Sequence, residues 1–167
     1  MAGNKADSHS YVWSALRIAL GFIFLWGFLD KLLGLGYSTK AGKSWLDGVS
    51  PTSGFLKSAS VHGPLGSFYH GLAGNGTVDW LFMIGLAAIG FCLIVGIGMR
   101  LASWAGILML LLMWSALYPP ATNPILDEHI IYILVLLALQ DGRTGLNWSL
   151  ARWWGSLSFV RAYPVFR

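Results

Sequence analysis

The sequence predicts an all-α integral membrane fold: a four-helix bundle with a long outer loop that contains short interfacial helices, and a C-terminal interfacial helix. Three observations predict it. The first is composition, because 56% of the 167 residues are hydrophobic and only 11% are charged, whereas a soluble domain this short needs about 25% charged residues to cover its surface. The second is a set of four apolar runs near the length of roughly 20 residues that a ~30 Å hydrocarbon core requires. The third is the sorting of charge. Four spans place both termini on one side, and Lys5, Arg17, Arg100, Arg143, Arg152, Arg161 and Arg167 then share that side, against Lys31, Lys40, Lys43 and Lys57 on the other. Seven basic residues against four predict termini facing inward in a cell membrane, N-in and C-in.

Each element follows from a local signal. Residues 1–10 are polar and lead into an apolar stretch too long for a signal-peptide core, with no small-residue cleavage site behind it, so this stretch is expected to stay in the mature protein. The first span covers residues 11–36, with Arg17 near one end and Asp30 and Lys31 near the other. Gly21 and Gly27 in this span, and Gly85 and Gly90 in the next, are small positions that let helices approach closely. The outer loop, 37–77, is far longer than a hairpin needs, which marks it as functional. Within it Ser50-Pro51 and Gly63-Pro64 read as helix starts with proline in the first helical position, followed by Phe55 and Leu56, then Leu65, Phe68, Tyr69 and Leu72. They predict two short helices on the outer interface.

The second span, 78–98, and the third, 101–118, are separated by so little that they must form an antiparallel hairpin. Pro119-Pro120 ends the third. The fourth, 125–140, is shorter and opens with Asp127, Glu128 and His129. The tail, 145–167, mixes Leu146, Trp148, Leu150, Trp153 and Trp154 with Asn147, Arg152 and serines, a pattern for a helix in the inner headgroup layer that serves as an anchor or docks a partner. No repeat or linker divides the chain, so 1–167 forms a single membrane domain.

Charges in or beside a membrane span are costly, so each is a functional candidate. Asp30, Lys31, Asp79, Asp127, Glu128 and His129 come from three spans at similar depth near the outer end. Either Lys31 pairs with Glu128 or Asp127 as a helix lock, or the group forms a polar pocket in which an acid or His129 exchanges protons with a substrate such as a quinone. Glu128 and His129 both share a helical face with Tyr132, at four and three residues apart. Arg17, about 21 Å from Lys31 along the helix, belongs to the inner end, where it snorkels to phosphates or pairs with Asp141.

Several classes are disfavoured. The net charge of +4 could suggest nucleic acid, but the tail arginines lie among tryptophans, which fits a membrane surface better. Cys92 is the only cysteine, so the chain builds no disulfide, CxxC pair or iron–sulfur site. His62 and His70, eight apart, match no standard metal motif, and no haem-ligand pair, GxGxxG or P-loop is present. No metal, haem or nucleotide is therefore expected, and electrons must come from substrate, quinone or a partner.

The residues Leu16 to Gly21, Trp26 to Leu32, Gly96 to Arg100, Asn123 to His129, Gly142 to Thr144 and Leu150 to Trp154 resemble the DoxX/DoxD group of membrane proteins. The resemblance covers nearly all four spans and implies a prokaryotic four-helix membrane subunit. In some members that subunit is the membrane part of a thiosulfate:quinone oxidoreductase, and in others a component of membrane redox or stress-defence assemblies. By this resemblance Arg17, Gly21, Gly27, Lys31, Arg100, Asp127, Glu128 and His129 fall on recurring family positions. The expected function is thus a subunit of a quinone-linked oxidoreductase, with Lys31, Asp127, Glu128 and His129 as catalytic candidates and Asp30, Asp79, Tyr132 and Arg17 as quinone-site candidates. A non-catalytic accessory subunit of a larger redox complex is the alternative, and a small-molecule transporter a weaker one, because a packed bundle leaves little lumen. The long loop caps a site or binds a partner.

Overall fold

The computed structural model describes residues 3–58, 64–120, 123, 125–141 and 144–166. His62, Pro124, Gly142, Arg143 and Arg167 lie outside them. The described residues are helical, without strands: α1 Gly3–Leu33, α2 Ser53–Ser58, α3 Gly66–Leu72, α4 Gly76–Val95, α5 Met99–Leu117, α6 Glu128–Leu139, α7 Ala151–Ser156 and α8 Ser158–Ala162. A 3₁₀ turn at Pro164–Phe166 lies against α5. In α1 (from His9), α4 and α5 the protein has three helices long and apolar enough to cross a membrane. It is a membrane protein whose lipid contacts come from these helices. The fourth expected span is shorter than predicted: the 12 residues of α6 rise only about 18 Å at 1.5 Å each.

Local chemistry sets the helix ends. Gly34, at φ +68°, stops α1, and its N–H bonds to the Asp30 carbonyl at 2.8 Å. The Asn75 side chain caps α4 by accepting from the N–H groups of Thr77 and Val78. Gly96 and Gly98, both left-handed, turn the chain tightly from α4 into α5, the hairpin that the short connection predicts. Asp127 caps α6.

Packing follows from small residues. A Cβ added to Gly90 would sit 2.6 Å from the Leu25 nitrogen, and one added to Gly21 would sit 2.9 Å from the Ile94 nitrogen, so α1 and α4 pass backbone to backbone, antiparallel. Gly106 of α5 makes room for a side chain instead, since a Cβ there would meet Leu136 Cδ1 of α6 at 2.8 Å. Leu20, Phe24, Leu86, Ile89, Leu93, Ile107, Leu110, Ile133 and Leu136 fill the space between α1, α4, α5 and α6.

The bundle has a terminus end, with the start of α1 and the α4–α5 turn, and a loop end. At the loop end α2 and α3 fold back on α5: Leu56, Tyr69 and Ala116 are buried together, and the Tyr69 hydroxyl bonds to Ser115 Oγ at 2.5 Å. Both helices start later than the prolines suggest, since Pro51 and Pro64 sit in the turns before α2 and α3. The tail differs more. Residues 144–150 are turns rather than helix, and the helical structure beyond them is confined to the short α7 and α8 and the 3₁₀ turn.

Candidate functional site

The six titratable residues at the loop end divide into separate sets, with no hydrogen bond between sets. Asp30, 1% exposed, accepts the N–H groups of Tyr37, Ser38 and Thr39 at 3.2, 2.9 and 2.8 Å, and the Ser38 hydroxyl at 2.6 Å. It gathers the first turn of the long loop around one carboxylate. Lys31 donates to Ser38 Oγ at 3.3 Å. The expected Lys31–Glu128 or Lys31–Asp127 pair does not form, because Lys31 is drawn to the loop that Asp30 folds beside it.

Asp79, in the first turn of α4, performs the same task for the second half of the loop. Its carboxylate accepts the hydroxyls of Ser50 and Thr52 at 2.8 and 2.5 Å, and holds the turn that precedes α2. Within the loop, Asp47 accepts from the Ser44 hydroxyl at 2.5 Å and the Ser44 N–H at 3.0 Å. These two bonds, the hydroxyl's first, hold the Asp47 carboxyl below the ordinary aspartate range, since both favour the charged form. A lowered folded-state value means that the turn's stabilisation is complete above the unfolded aspartate pKa and is lost as pH falls through the folded one. Hydrogen exchange at residues 44–48 is therefore expected to quicken as pH drops below about 4, beyond the intrinsic pH effect, and Asp47→Asn should flatten that dependence.

The third set is the start of α6. Asp127 Oδ1 accepts the N–H groups of His129 and Ile130 at 3.0 and 3.4 Å, while Oδ2 receives His129 Nδ1–H at 2.8 Å. Both side chains are nearly buried, 8% exposed for His129 and 6% for Asp127. The carboxylate fixes the ring and leaves Nε2 as its other nitrogen, the arrangement that lets an imidazole take up or release a proton at a defined place. Glu128 is exposed beside it, and ligand-type atoms of Asp127, Glu128 and His129 lie within 4.8 Å of one another. Asp127 already serves the helix cap and the imidazole, so this proximity follows from capping and carries no argument for a metal. Tyr132, half-buried, packs against the core, with no hydrogen bond to Glu128 or His129.

At the terminus end, Arg17 is completely buried. Its Nε donates to the Gly145 carbonyl at 2.8 Å, Nη1 to the carbonyls of Leu93 and Ile94, the latter at 2.8 Å, and Nη2 to those of Asn147 and Trp148, both at 3.1 Å. All five N–H groups of the guanidinium are used. Arg17 therefore neither snorkels nor pairs with Asp141; it ties the last carbonyls of α4 to the turns after α6. Asn147 Nδ2 adds a bond to Ser10 Oγ at 2.9 Å, and the Leu150 N–H one to the Val95 carbonyl at 2.9 Å. These partners escape sequence reasoning because a backbone carbonyl has no residue signature. Gly96 and Gly145, left-handed beside the guanidinium and the α1 backbone, are the nearest thing to a signal.

The sites expected to act together thus stand apart. Asp30, Lys31 and Asp79 organise the loop, Arg17 closes the opposite end, and Asp127, Glu128 and His129 alone combine burial, a defined ring and an exposed acid. No protein-family model matches the chain, and no curated protein or solved structure is significantly similar to it.

Proposed function

We propose that this chain is a membrane subunit of a quinone-linked redox assembly of the DoxX/DoxD type, a four-helix bundle in the cell membrane with both termini inside. The observation that carries the proposal is the buried Asp127–His129 pair beside exposed Glu128 at the loop end of an apolar bundle. Reduction of a quinone to a quinol takes two electrons and two protons. With one cysteine and no nucleotide motif, this chain has the means to handle protons, while electrons would come from a redox centre in a partner subunit. Glu128 would collect protons at the surface, and His129, held by Asp127, would pass them to a quinone oxygen.

The test is reduction of decylubiquinone by native membranes in which the chain is replaced by variants. His129→Gln and Glu128→Gln are expected to slow quinone reduction by about 10²-fold or more, with unchanged amounts of assembled protein and an altered pH–rate profile. Wild-type rates in both variants would sink this reading.

A second reading, a non-catalytic accessory subunit, draws on the engagement of Arg17, Asp30 and Asp79 in holding loops. It predicts that deletion of the chain lowers the amount of a co-extracted partner complex while the rate per assembled complex stays the same.

A further inference from the structure

The terminus end contains a cavity of about 510 Å³ lined by the α4–α5 turn at Gly96 and Gly98 and by Tyr11, Trp148 and Trp154. We propose that this cavity binds the phosphate-bearing headgroup of an anionic phospholipid. The inference is independent of the redox reading, which concerns the opposite end.

Position is the first argument. The α4–α5 turn that lines it joins the end of one membrane-crossing helix to the start of the next, which puts the cavity at the level of the bilayer headgroups. Charge is the second. Arg152 is the charged side chain at the cavity, no described lining residue is acidic, and the guanidinium makes no hydrogen bond or ion pair with any described residue. An unengaged, planar, permanently charged fork suits a phosphate better than any neutral ring. Gly98 and Met99, at the start of α5, also line the cavity, and Gly98 supplies no side-chain cap there.

The walls are the third argument. Tyr11 and Trp148 meet at a tilt, with 5.4 Å between ring centroids, and such amphipathic rings favour the headgroup layer. Trp148 has φ +54°, the one left-handed non-glycine among the described residues, and Arg17 grips its carbonyl. The aromatic wall is therefore held in place by the same buried arginine that closes the bundle. The volume falls within the range of small-molecule sites, about 300–1,000 Å³, more room than an inorganic anion needs.

The experiment titrates the purified full chain in mild detergent with short-chain phosphatidylglycerol, short-chain phosphatidylcholine and inorganic phosphate, following tryptophan fluorescence and native mass spectrometry. Phosphatidylglycerol is expected to bind saturably and roughly fivefold or more tighter than phosphatidylcholine, with Arg152→Gln abolishing the preference. Arg100→Gln, exposed and outside the cavity, should keep it. Arg152 is exposed and unengaged, so its variant folds, which an unchanged melting curve verifies. Equal binding of the two lipids, or a preference that survives Arg152→Gln, overturns the proposal. So do inorganic phosphate competing at the same concentrations, which makes the cavity a plain anion site, and displacement by decylubiquinone, which makes it a quinone site.

Discussion

Replacing Arg17 with Met is expected to lower stability by about 4 kcal/mol and melting in detergent by roughly 10 °C, the largest loss of any single change at the terminus end. The side chain is fully buried and each of its five N–H groups meets a different carbonyl. Methionine would fill the volume and relieve the desolvation of a charge, which favours the variant by several kcal/mol. Against that stand five carbonyls left without donors, each costing about 1–3 kcal/mol where water cannot reach. The carbonyls win, because Leu93 and Ile94 are the last turns of a helix and have no intrahelical partner to return to. Arg17→Lys is the sharper probe. An ammonium has three donors at one point and cannot span five carbonyls, so this variant should lose most of the same stability. A side chain whose role was to reach lipid phosphate would tolerate lysine. Thermal melts of both variants beside wild type decide the matter: a lysine variant as stable as wild type would show that charge, not the carbonyl cage, is what position 17 supplies.

How far the chain can be read in advance depends on whether the partners are side chains or backbone. The three long helices are legible because lipid demands length and apolarity, and residues 78–98 and 101–118 announce both; α4 and α5 lie within about three residues of those bounds. The charged residues are legible as costly, but their partners are not. Asp30 binds three backbone N–H groups and a serine, and Asp79 reaches across 27 residues to Thr52. Neither spacing has a pattern, since a carboxylate accepts from whichever donor the loop brings to it.

Residues 145–150 mislead for a related reason. Leucine and tryptophan there have the look of an interfacial helix, yet Gly145 and Trp148 are left-handed and the carbonyls of 145, 147 and 148 point at Arg17. A charge 128 residues away in sequence overrides local amphipathicity, because leaving a buried guanidinium unbonded would cost more than a short helix returns. The start of α6 is the reverse case. Asp127, Glu128 and His129 are adjacent, so their proximity is legible, and only the burial of the pair needs the fold.

Gly90→Ala is expected to cost about 2–3 kcal/mol and Gly90→Leu more, while Gly27→Ala, on the helix that faces it, should be neutral or stabilising by up to ~1 kcal/mol. From sequence Gly21, Gly27, Gly85 and Gly90 are equivalent small residues; the packing separates them. A methyl on Gly90 would lie 2.6 Å from the Leu25 nitrogen and 2.9 Å from the Gly21 carbonyl oxygen, both backbone, so only separation of α1 from α4 could make room. A methyl on Gly27 would meet Leu86 Cδ1 at 3.9 Å, an ordinary contact, and the helix gains from losing a flexible glycine. Gly85 lies between, since its methyl would strike the far end of Met109, which can swing aside. Separating α1 from α4 would also move Leu93 and Ile94 away from Arg17, so the cost of Gly90→Leu should not add to that of Arg17→Met. A double-mutant cycle in detergent melts reads this coupling directly. Equal effects of alanine at positions 27 and 90 would refute the close α1–α4 crossing, and strict additivity would mean that the arginine cage stands independently of it.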